Sequence, residues 1–159
     1  MKITVNISRQ TLEVFDDEGK LMRSYAVSTA LNGPGEEANS NCTPRGRHVI
    51  RAKIGAGQPV NTVFVRRRPS GEIYTPELGL QYPDRDWILT RILWLSGCES
   101  GYNRLGTCDT MRRYIYIHGT TQERGVGVPR SHGCINMLND DLLELFGLVE
   151  AGTIVDISV

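Results

Sequence analysis

A mainly β fold, sandwich or barrel-like with one or two short helices, is the architecture this sequence predicts. Short runs of alternating polar and apolar residues recur along the chain, and Gly, Pro, Asn and Asp clusters separate them. Only one stretch near the C-terminus carries a helical pattern. Many short strands with little helix argue for a β sandwich or barrel.

Lys2 to Ile7 alternates polar and apolar, as does Thr11-Leu12-Glu13-Val14-Phe15. Asp16-Asp17-Glu18-Gly19 supplies hairpin-turn chemistry, and Leu21 to Val27 reads as the return strand. Thr29 to Gly46 is a long polar loop, of a length that marks functional or mobile segments. Strands are expected again at His48 to Ile54, Val60 to Arg67, Glu72 to Thr75 and Trp87 to Leu95, followed by a second loop from Ser96 to Thr110. Arg66, Arg67 and Arg68 read as a solvated strand end before a Pro69-Ser70-Gly71 turn. Arg113 to His118 is the next strand. A helix follows, with Asn139 as its cap and Asp140 and Asp141 at the positive end of its dipole. Leu142, Leu143, Leu145 and Phe146 give it apolar contacts, and Gly147 is placed to stop it. Thr153 to Ile157 closes the chain as a strand, with no repeat or linker to divide residues 1–159.

The composition is that of a globular protein: 40% hydrophobic and 23% charged over 159 residues. Lys plus Arg equals Asp plus Glu, so no global field favours nucleic acid or anionic lipid. No stretch approaches the ~20 apolar residues of a membrane span. The opening residues lack a signal-peptide core, which predicts a cytoplasmic location, or a periplasmic one where the N-terminus has been trimmed. Cys42, Cys98, Cys108 and Cys134 lack CxxC pairing and read as thiols. The sequence is silent on oligomeric state.

Chemistry concentrates between Arg113 and Met137, RYIYIHGTTQERGVGVPRSHGCINM. In a strand, Tyr114, Tyr116 and His118 point one way while Ile115 and Ile117 face the core. His118 then ends a rigid element beside a glycine-rich loop. Thirteen residues separate it from His132, and Ser131-His132-Gly133-Cys134 follows. A thiol becomes a strong nucleophile when an imidazole takes its proton or stabilises the thiolate. The Gly133–Cys134 peptide offers backbone N–H groups to an oxyanion. The plainer readings are a Cys134 that is a small buried hydrophobe, a structural His118, a His132 that braces the turn, and a Tyr116 that fills a sandwich edge. Zinc ligation by His118, His132 and Cys134 is a further alternative, without a CxxC or short His spacing to support it.

His118, a loop, then Ser131-His132-Gly133-Cys134-Ile135-Asn136 resembles the signature of the YkuD-type L,D-transpeptidases. TPRGRHVIRAKIG, GEIYTPE, LTRILWL, RRYIYIHGT and NDDLLELFGLVEAGTIVDI extend the likeness over essentially the whole chain. The twelve-residue segment between His118 and Ser131 is at the short end for that family. The resemblance implies a β-sandwich catalytic domain without metal or cofactor, acting on peptidoglycan stem peptides or muropeptides. It makes Cys134 the nucleophile toward the third stem residue and His118 the base. The Gly119 carbonyl would orient the His118 ring, and the Gly133 and Cys134 amides would hold the oxyanion. His132 would tune the field, Tyr116 would line the substrate pocket, and Ser131 and Asn136 would pin the loop near substrate. D-Alanine leaves and a thioester remains. Water then gives an L,D-carboxypeptidase of muropeptide recycling, the expected activity; an amine of a second stem gives 3-3 cross-links. A non-catalytic stem-peptide binder is the alternative from another class. Carbapenems are expected to acylate Cys134.

Overall fold

The computed structural model describes all 159 residues and is mostly β, with two helices. One ten-stranded mixed sheet holds β1 (Lys2–Asn6), β2 (Thr11–Phe15), β3 (Leu21–Ala26), β4 (Gly46–Ile54), β5 (Thr62–Val65), β6 (Arg68–Ile73), β7 (Leu89–Gly97), β8 (Tyr116–Gly119), β9 (Ile135–Met137) and β10 (Ile154–Ser158). Its order is β3-β2-β1-β10-β4-β7-β5-β6, with β8 on β7 and β9 on β8. The β1–β10 and β8–β9 pairs are parallel and the others antiparallel.

The alternation that predicts β1 and β2 also fills the core. Ile3, Val5, Leu12 and Val14 are fully buried, and they join Leu93, Leu95, Ile115, Ile117, Ile135 and Met137 in a single cluster. Helix α2 (Asn139–Leu148) covers that cluster with Leu142, Leu145 and Phe146. Burying such side chains is worth about 2 kcal/mol each. No helix is long and apolar enough to cross a membrane.

Four local expectations are corrected. The turn between β5 and β6 is Arg66-Arg67, both left-handed at φ 51 and 64, with Val65 paired to Arg68; Pro69-Ser70-Gly71 lies inside β6. Leu138, not Asn139, occupies the N-cap position of α2 and supplies no side-chain cap, and the Asn139 amide is bonded sideways to Asn61 and Thr90. Gly147 lies within the helix. Tyr114 precedes β8 at φ 56, so Tyr116 and His118 share a strand face without it. A short helix α1 (Pro76–Gln81), capped by the Thr75 hydroxyl and started by proline, is the other of the two helices.

The two long loops are fastened. Ala30 donates to the Thr43 hydroxyl, which itself donates to the Gly133 carbonyl at 2.9 Å. Ser28 pairs with Asn136 and Ala30 with Ser131, so the first loop braces the segment around Cys134. In the second, buried Asn103 holds the Arg45 and Arg47 carbonyls and the Glu99 amide.

Candidate active site

β8 and β9 are parallel neighbours, with Ile117 opposite Ile135 and His118 opposite Asn136. That register puts Ile117 and Ile135 into the core and turns Tyr116, His118 and Cys134 toward the other face. There His118, Ser131, His132, Cys134 and Tyr116 line one cleft of about 380 Å³.

His118 is 1% exposed, and its Nδ1 lies 2.7 Å from the Gly119 carbonyl. A backbone carbonyl only accepts, so Nδ1 carries the proton and Nε2 keeps its lone pair. Burial holds the His118 pKa below 6.5, with Asp86 opposing. Gly119 permits this close packing: a Cβ there would meet the Asn139 Oδ1 and stand 2.6 Å from the Leu89 carbonyl. The β7–β8 register shifts between Leu89 and Ile92, and Thr90 sits in that bulge at φ 77. Bulges of this kind re-aim side chains beside functional sites.

Cys134 is half-buried against Phe64, Ile92 and Tyr116. Its sulfur accepts from the Tyr116 amide at 3.3 Å and donates to the Tyr114 carbonyl at 3.4 Å. Burial pushes the thiol pKa up to about 12, while the Tyr116 N–H and Arg113 pull it down. The resting pair is therefore a neutral thiol and a neutral imidazole, and no hydrogen bond joins them. Gly133 stands at φ 133, where a Cβ would be 2.9 Å from the Ile115 Cδ1. Its amide donates to the Ser131 hydroxyl at 3.2 Å. The Cys134 amide has no acceptor in the chain and is the freer of the two donors.

The Ser131 hydroxyl also donates to the Cys134 carbonyl, so it clamps the turn. His132 is exposed, with Nδ1 3.9 Å from Asp86. Asn136 is buried and does not line the cleft; its Oδ1 has no hydrogen-bond partner. Tyr116 is buried, and its hydroxyl accepts from Arg67 at 2.9 Å. No group of three or more His, Cys, Asp or Glu side chains has metal-holding geometry.

Several cleft residues escape sequence reading. Arg67 is no free surface cation: it stacks over Tyr114 at 4.5 Å and Trp94 at 5.0 Å. Arg66 and Asp86 complete the walls. Arg113 spans the floor of the first loop, donating to the Gly35, Glu36 and Cys42 carbonyls and the Ser40 hydroxyl. Left-handed arginines in a hairpin turn leave no mark in a hydrophobic pattern, and Arg113 finds its acceptors far away in sequence.

Residues 1–157 match the family described as the YkuD L,D-transpeptidase catalytic domain. The chain is 33% identical over 120 residues to the probable L,D-transpeptidase YbiS of Escherichia coli K12, covering 69% of this chain and 38% of that protein. It thus spans well under half of the curated relative's length. A Mycobacterium smegmatis L,D-transpeptidase structure superposes with TM-score 0.56 at 19% identity, over 99% of this chain and 58% of the other. L,D-transpeptidase 3 of Mycobacterium tuberculosis, solved with a faropenem-derived adduct, gives 0.57 at 16%, over 99% and 59%. At those identities the likeness is one of fold.

Proposed function

Because the chain belongs to the YkuD family of L,D-transpeptidase catalytic domains, we propose that it performs cysteine acyl transfer on peptidoglycan tetrapeptide stems, with Cys134 as nucleophile and His118 as general base. The observation that carries this is one cleft lined by both residues, with His118 Nδ1 tied to the Gly119 carbonyl so that Nε2 is the basic nitrogen.

The Cys134 sulfur attacks the carbonyl of the third stem residue, and its proton passes to His118 Nε2. The developing oxyanion meets the Cys134 amide, joined by the Gly133 amide when the Ser131 hydroxyl releases it. The imidazolium returns the proton to the amine of the departing D-alanine, leaving a thioester. His118 then deprotonates an acceptor, whose attack on the thioester regenerates the thiol. A neutral resting pair suits this order of events, because the proton moves only as the S–C bond forms.

Water is the acceptor we favour, which makes the activity an L,D-carboxypeptidase. The cleft beside the sulfur, about 380 Å³, lies near the small end of ligand sites, and the terminal residues of a donor stem would occupy it. Cross-linking is the second reading, favoured by the L,D-transpeptidase name of the Escherichia coli relative. Incubation with a soluble disaccharide tetrapeptide separates the two: tripeptide as the sole product supports hydrolysis, and cross-linked dimer overturns it. A non-catalytic binder would return the tetrapeptide unchanged. By analogy with the faropenem adduct of the mycobacterial enzyme, a penem is expected to acylate Cys134.

A further inference from the structure

A second cavity of about 520 Å³ is lined in part by Arg51, Ser96, Cys98, Arg104, Asp109 and Arg112. One arginine from each lining stacks on Trp94: Arg67 of the cleft lies 5.0 Å from its ring centroid and Arg51 of the second cavity 5.6 Å. Along β7, Ile92, Trp94 and Ser96 share a face, and Leu93 and Leu95 point into the core. Ser96 therefore opens on the same side of the sheet as the cleft. Between β4 and β7 the register shifts around Arg51, so that Arg51 joins Ala52 opposite Trp94.

Arg51, Arg104 and Arg112 are exposed, and none has an acidic partner at ion-pair distance. The one carboxylate in the wall, Asp109, is occupied by the Leu105 amide at 2.7 Å and the Arg112 amide at 3.0 Å. Those two bonds fix the backbone beside Arg104 and at Arg112, so the cations are presented by a rigid loop. The Ser96 hydroxyl is buried without any hydrogen-bond partner. A buried hydroxyl left unpaired is uncommon and calls for an acceptor.

We propose that this cavity is a binding site for a diphosphate group, held by Arg51, Arg104 and Arg112 with the Ser96 hydroxyl as a further donor. Three guanidinium groups against one carboxylate leave a net charge of two, which a single carboxylate ligand would not neutralise and a diphosphate does. Guanidinium forks match phosphate oxygens two at a time. The assignment stands apart from the role given to Cys134, since it concerns different residues and needs no turnover.

Calorimetric titration of the full chain with inorganic pyrophosphate tests it, combined with residue-resolved alkylation by iodoacetamide. The expected result is saturable binding that weakens at least tenfold in Arg104→Ala/Arg112→Ala. Arg51→Ala, on a different element, weakens it in the same direction. Pyrophosphate should slow alkylation at Cys98, which lines the cavity, and leave the rate at Cys134 unchanged. Absence of saturable binding, wild-type affinity in both variants, or protection at Cys134 in place of Cys98 would overturn the proposal.

Discussion

The Tyr116 amide donates to the Cys134 sulfur at 3.3 Å, across the parallel β8–β9 pair and one residue beyond the Ile117–Ile135 register. A backbone N–H aimed at sulfur favours the thiolate, yet desolvation outweighs it and the thiol pKa stands at about 12. The sulfur thus stays protonated until His118 draws the proton off.

The pH profile follows from these two shifts. The kcat/KM value should rise with pH through the His118 pKa, which burial holds below 6.5, and then stay level into the alkaline range. Ultraviolet thiolate absorbance at neutral pH should match that of Cys134→Ala. A thiolate band at neutral pH that disappears in the variant would contradict the neutral pair.

Gly119 and Gly133 are both fixed by space. In Gly133→Ala the new methyl would crowd the Ile115 Cδ1 at 2.9 Å and the Cys42 carbonyl at 3.1 Å, at a left-handed φ of 133. The expected cost is about 2 kcal/mol of stability from backbone strain. Gly119→Ala should shift the carbonyl that orients His118 and lower kcat more than it raises KM. Denaturant melts and steady-state kinetics check the pair.

Arg113→Met should release the 35–42 loop. Its guanidinium holds three carbonyls and a hydroxyl, the Cys42 carbonyl at 2.7 Å, and no other residue replaces them. Loss of this charged donor is expected to cost about 3 kcal/mol. Amide exchange at residues 35–42 should quicken more than exchange in β1 or β2.

His48 predicts the acid limb of stability. It is buried and neutral, bonded to the Gly46 carbonyl and the Thr110 hydroxyl, and its pKa falls to about 4. The unfolded chain binds a proton near ~6.5 that the folded chain refuses until about 4. Stability therefore drops as pH falls across that window, by about 3 kcal/mol, and levels off below it. His118 is shifted in the same direction and adds to the loss. His48→Gln should flatten the slope in urea titrations, and an unchanged slope would contradict the assignment.

Local signals made the outer strands legible. Lys2 to Ile7 and Thr11 to Phe15 alternate cleanly because one face of each packs on the core. Ile115 and Ile117 faced inward as their spacing predicts, which located the Tyr116–His118 face correctly. The Arg66-Arg67 turn stayed hidden because its residues adopt left-handed angles that glycine or asparagine usually signals. Asn139 looked like a cap, but tertiary partners took its side chain. Arg113 and Asp86 join the cleft only through chain-distant packing, which no periodicity encodes.

Intact-mass spectrometry of the protein quenched in acid during turnover of a disaccharide tetrapeptide, followed by peptide mapping, decides whether Cys134 carries the acyl group. The expected result is a mass gain equal to substrate minus D-alanine on the peptide containing Cys134, absent in Cys134→Ala, which should also release no tripeptide. An adduct on Cys42, Cys98 or Cys108 instead, or tripeptide release by Cys134→Ala at the parental rate, would contradict it.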